Sequence, residues 1–126
     1  MISPTEELVL SGLIHDENYT RKVLPYIKTE YFETTVGRAA FSICSGYFAE
    51  YGECPSRQAI AIRLGEHEGA TEDEFRQISQ AFDVLVERTE VGNAEFLTNT
   101  TEKWCQERAV YLALLESIAI HDGQSE

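Results

Sequence analysis

Apolar residues along this chain recur at helical spacing, and no stretch alternates in the manner of a strand. Leu10, Leu13 and Ile14 share one face of a helix opened by Ser3, Pro4 and Glu6. Ser3 is placed to cap, Pro4 suits the first helical position, and Glu6 completes a capping box. Gly12 weakens this helix and marks close packing. A second short helix is expected from Asn18 to about Leu24, ended by Pro25. Glu30, Tyr31 and Phe32 read as an aromatic plug between helices. From Thr35, the residues Ala40, Phe41, Cys44, Phe48 and Tyr51 recur at spacings of three and four, and Gly52 is a C′ stop. Ser56 caps a short helix holding Ile60 and Leu64. Thr71 and Glu74 form a second capping box before the stripe Phe75, Ile78, Phe82, Leu85 and Val86.

Val91, Gly92 and Asn93 break the chain once more, and Ala94 to about His121 then runs without Gly or Pro. As one helix it would span about 42 Å. A globule of this chain length is about 36 Å across, so the rod is expected to project or to lie on a partner. Leu97, Trp104, Tyr111 and Ile118 repeat every seven residues. Thr101, Arg108 and Leu115 fill the alternate positions, and Leu112 flanks them. That is a heptad seam over about three and a half repeats. The expected architecture is all-α: a head of about five short helices over residues 1–92, then one long helix over 93–126, within a single domain.

Charge changes the list of partners. The 22 acids against 10 bases give a net charge of −12, the wrong sign for neutralising phosphates. Direct nucleic-acid binding is therefore not expected, and a basic protein partner suits the surface better. The three cysteines, Cys44, Cys54 and Cys105, form no disulfide framework. Glu6 and Glu7 stand where a signal peptide would carry bases, and no apolar run is long enough to span a bilayer. A cytoplasmic protein with no membrane partner is expected.

Chemistry is sparse. No phosphate loop or dinucleotide fingerprint occurs. His15, His67 and His121 each stand apart from other ligand residues. The group His15, Asp16 and Glu17 reads as a polar helix end, and His121 sits well against a helix dipole. Cys44 reads as a core residue and Cys105 as packing beside Trp104. Glu72, Asp73 and Glu74 open a helix, where negative charge is stabilising. Trp104 and Tyr111 have three readings: packing on another helix, packing in their own core, or stacking on bases. The lack of nearby bases favours the first. No catalytic, cofactor-binding or metal-binding residue is assigned. The candidate interface is Leu97, Thr101, Trp104, Arg108, Tyr111, Leu112, Leu115 and Ile118.

These residues also form an ordered pattern. Leu10, Leu13, Ile14, Asp16, Tyr19, Val23, Pro25-Tyr26 and Tyr31-Phe32 come first, followed by Phe41, Tyr51 and Pro55-Ser56. Phe96, Leu97, Thr101, Glu102, Lys103, Gln106, Arg108 and Ala109 close the series. The pattern resembles the N-terminal domain of the replicative helicases of T-even-like phages, the viral branch of the DnaB-type hexameric helicases. The stretch from about Ile60 to Gly92 matches mainly in helical pattern. The resemblance implies a helical head followed by a helical hairpin, with hairpins pairing into homodimers and three dimers forming a collar above the motor ring. Such a collar supports the hexamer around single-stranded DNA, which it meets only through the assembled ring, and helps dock the primase. Leu97, Trp104, Arg108, Tyr111, Leu115 and Ile118 would lie on the first hairpin helix, with Arg108 facing an acid across the interface. ATP and magnesium would belong to a motor domain outside these residues, making the chain a non-catalytic piece of a longer helicase. Two alternatives stand beside this reading. One is a stand-alone helical adaptor similar to the helicase-binding domain of primase. The other is an acidic DNA mimic, which the spread of the acids between apolar stripes disfavours.

Overall fold

The computed structural model describes residues 2–88 and 92–124, with side chains described as far as Ile120. The expected breaker Val91 and the side chain of His121 lie outside the described residues. Among the described residues six α-helices follow one another: α1 (Pro4–His15), α2 (Glu17–Val23), α3 (Thr35–Tyr51), α4 (Arg57–Glu66), α5 (Glu72–Glu87) and α6 (Ala94–Gln124). Two single 3-10 turns, Leu24–Tyr26 and Thr29–Tyr31, join α2 to α3. No strand occurs among the described residues, and the all-α head with a long last helix is as expected.

The caps are where the side chains call for them. Ser3, Asp16, Thr34, Ser56 and Thr71 each accept a backbone N–H in the first turn of the helix they open. Thr71 Oγ1 also donates to Glu74 Oε1 at 3.2 Å. The first capping box forms only in half. Ser3 Oγ accepts from Glu6 N at 3.2 Å, but the Glu6 carboxylate turns inward and accepts from Glu33 N at 3.5 Å. The pull is tertiary, because Glu6 is buried in the middle of the fold.

Helix α1 is the axis of the head. Val9, Leu10, Ser11, Leu13 and Ile14 are all buried, so the helix is enclosed on every side rather than along one stripe. α2, α3, α5 and α6 pack around it. Gly12 permits the closest of these approaches: a Cβ there would stand 2.7 Å from Tyr19 Cδ1 and 3.1 Å from Leu97 Cδ2. At the end of α1, His15 Nε2 donates to the Leu85 carbonyl at 2.9 Å, which ties α1 to α5. His15 is therefore a structural residue here.

Two predicted stripes leave the core early. Ala40, Phe41 and Cys44 of α3 are buried, but Phe48 is half-buried and Tyr51 is exposed. On α5, Ile78, Phe82 and Leu85 are buried while Phe75 is exposed. The aromatic plug is real: Phe32 stacks on Phe41 at 5.1 Å between ring centroids, and meets Trp104 of α6 at 4.9 Å. Tyr31 meets Trp104 edge-on at 6.1 Å and 90°.

Candidate assembly interface

Helix α6 begins at an Asn cap, with Asn93 Oδ1 accepting from Glu95 N at 2.9 Å and from Phe96 N at 3.1 Å. Its 31 residues would span about 46 Å. The heptad seam read from the sequence does not survive as one surface. Leu97 and Thr101 are 1% exposed and Trp104 is 7% exposed, all three within the core of this chain. They are the first correction to the predicted interface. The residues they cover are Tyr19, Tyr31 and Phe32, which the second helix and the aromatic plug bring to the same face of α6.

Thr101, a polar residue of the predicted seam, has a partner at home. Its Oγ1 donates to the Leu97 carbonyl at 2.8 Å, a bond that uses its only proton. Tyr19 must therefore be the donor in the 2.5 Å contact between its hydroxyl and Thr101 Oγ1. Burial pushes the Tyr19 phenol above its ordinary range and keeps that donor protonated.

Arg108 is the second correction. Its Nε donates to the Tyr31 carbonyl at 2.6 Å, and its Nη1 lies 3.5 Å from Glu33 Oε1. The side chain is only 13% exposed, and its guanidinium lies 4.9 Å from the centroid of the Tyr111 ring. The acid it meets is thus in its own subunit. Arg38 Nε donates to the next carbonyl, that of Phe32, at 2.9 Å, and Glu6 holds Glu33 N. Three polar side chains from α1, α3 and α6 converge on the end of the plug. Among the described residues Glu6 Oε1 has no hydrogen-bond partner, and burial raises the Glu6 pKa despite the lowering pull of the Glu33 N–H and of Arg108 and Arg38.

Beyond Arg108 the helix leaves the head. Leu112 is partly buried against the core. Tyr111, Leu115 and Ile118 are 50%, 45% and 57% exposed. Val110, Leu114 and Ile120 are exposed too, and the heptad template passed over them. Their signal was present in the sequence, since Glu116 and Ser117 are the only polar residues from 109 to 120. At 3.6 residues per turn, the exposed Ile120, Val110, Leu114, Ile118, Tyr111 and Leu115 sweep about 220° of the helix, against about 100° for a face packed on one neighbour.

Cys44 is fully enclosed and burial pushes its thiol up to about 12, while Cys105 is raised to about 11 by the same cause. Neither is the thiolate that nucleophilic chemistry needs. Among the described residues no cluster of His, Cys, Asp and Glu is placed to hold a metal ion. A hollow of about 550 Å³ lies between α2 and α6, lined in part by Lys22, Tyr26, Cys105 and Gln106. Among the described residues no helix is long and apolar enough to cross a membrane.

The class that this geometry defines is an all-helical head bearing an exposed apolar arm. Comparison with known proteins adds a likeness. Over 114 residues, 90% of its length, the chain is 33% identical to the DnaB-like replicative helicase of Enterobacteria phage T4. That likeness is the one the ordered residues indicated, and the chain spans 23% of the length of that protein, an extent consistent with an N-terminal domain. No family model matches the chain.

Proposed function

We propose that this chain is the N-terminal assembly domain of a DnaB-like replicative helicase, pairing with further copies through the distal half of α6. It performs no catalysis itself. ATP hydrolysis with magnesium, and the grip on single-stranded DNA, belong to a motor ring that this domain organises. Docking of a primase is the second role, and cytoplasm is the compartment in which both take place. The observation that carries the reading is the uncovered apolar arc from Val110 to Ile120 on a helix otherwise built into its own head.

Energetics indicate how the arm is covered. Tyr111, Leu114, Leu115 and Ile118 are about half exposed, so full burial of each gains about 1 kcal/mol. Four from each of two copies give about 8 kcal/mol, within the range of about 4–15 kcal/mol that association costs. Two crossed rods are therefore marginal. The breadth of the arc points the same way, to more than one helix packed around each arm, as in a bundle of paired hairpins.

Sedimentation velocity tests the proposal directly. The 126-residue chain should self-associate, and Leu115→Glu with Ile118→Glu should be monomeric with unchanged helix content. A wild-type chain that stays monomeric at the highest soluble concentration removes the pairing role. A pull-down with the primase encoded by the same genome tests docking, and loss of capture when the arm is altered would place the docking surface there.

A further inference from the structure

Away from the arm, the outer surface where α3 meets α4 carries a second set of features that the assembly role leaves unused. Tyr47 and Tyr51, one turn apart on α3, bring their rings to 4.8 Å between centroids. Arg63 of α4 lies over both rings, 5.9 Å from Tyr47 and 5.8 Å from Tyr51. The same guanidinium is ion-paired with Glu50. These side chains, with Ile62 and Glu66, line a hollow of about 460 Å³. Tyr51 and Ile62 are 57% and 63% exposed, so its apolar floor is open to solvent.

Exposed tyrosines beside an arginine and an aliphatic residue have the composition of a binding hot spot. The charge says what kind of partner fits. Glu50 is matched by Arg63, whereas Glu66 makes no ion pair among the described residues, which leaves the hollow one negative charge on a chain of net charge −12. The resident Arg63 shows that these ring faces accept a guanidinium, and cation–π attraction favours a second cation on the exposed ring of Tyr51. Phosphate-bearing partners are disfavoured by the same charges. We propose that this hollow docks an arginine-bearing basic segment of a partner protein, one basic side chain lying on Tyr51 with its charge against Glu66. The proposal is independent of pairing through α6.

Fluorescence anisotropy of the full chain with a labelled decapeptide of alternating Arg and Ala tests it, with the Glu-for-Arg peptide as a blank. The Arg peptide should bind and the Glu peptide should not. Tyr51→Ser with Glu66→Gln should weaken binding about tenfold or more, while Glu102→Gln, which removes the same single charge elsewhere, should change it by less than about twofold. Arg63→Met frees both rings and Glu50, so it should tighten binding more than Lys22→Met does. Thermal melts of each variant confirm that the fold persists. Equal losses in the double variant and in Glu102→Gln would reduce the effect to net charge and overturn the proposal. So would a double variant that binds the peptide normally, or one that loses self-association in sedimentation and so assigns the hollow to a second copy.

Discussion

The two halves of α6 have the same backbone and similar sequence texture, yet opposite fates. From Leu97 to Cys105 the apolar residues are buried under α2 and the aromatic plug of the same chain. From Val110 to Ile120 comparable residues stand in solvent. The boundary is Arg108, clamped to the Tyr31 carbonyl and to Glu33, with Leu112 as the last side chain resting on the core. A heptad repeat therefore states that a helix has an apolar face and not whose surface will cover it. Burial at home and burial on a partner use the same side chains at the same spacing.

Substitutions at matched positions along the helix should separate the halves. Trp104→Ala should have the largest effect, costing about 3–5 kcal/mol of folding stability because it empties the centre of the aromatic cluster. Urea denaturation read at a concentration where the chain is monomeric measures this. A variant that folded as well as wild type and lost only self-association would return Trp104 to the intersubunit seam. Arg108→Ala should cost about 1.5–3 kcal/mol, the range for a hydrogen bond from a charged group. It should also loosen the arm, raising amide exchange at residues 109–112 before any other part of α6. Unchanged exchange there would mean that Leu112 alone sets the direction of the arm.

Glu6 tests the polar corner beneath Arg108. Because burial raises its pKa above the ordinary 4.5, the folded chain holds this proton more tightly than the unfolded chain does. Its contribution to stability is complete below pH 4.5 and is lost as pH rises through the folded value. Glu6→Gln removes the ionisation, so its melting temperature relative to wild type should rise between pH 4 and pH 7. A difference that is flat with pH would show that the carboxylate is already matched by Arg108 and Arg38. The smallest effect on the isolated fold is expected from Leu115→Glu with Ile118→Glu, within about 0.5 kcal/mol for exposed positions. The same pair should abolish association, so folding and assembly are predicted to respond to different halves of one helix.

The sequence by itself determined the helices and their limits. Ser3, Ser56 and Thr71 as caps, Gly52 as a stop and the stripes on α3 and α5 are local signals, because hydrogen bonds to the first turn and the 3.6-residue period act within a few residues. The apolar character of the arm was legible in the same way, since a twelve-residue stretch with two polar side chains is apolar nearly all round, but its exposure was not. What the tertiary structure decided depends on residues far apart in the chain. Arg108 reaches a carbonyl 77 residues away, and Tyr19 reaches Thr101 across 82. Glu6 abandons its capping box for Glu33, and Tyr47, Tyr51 and Arg63 meet only because α3 and α4 pack together. Periodicity fixes which way a side chain faces on its own helix; only the packing of the other helices decides what is there to receive it.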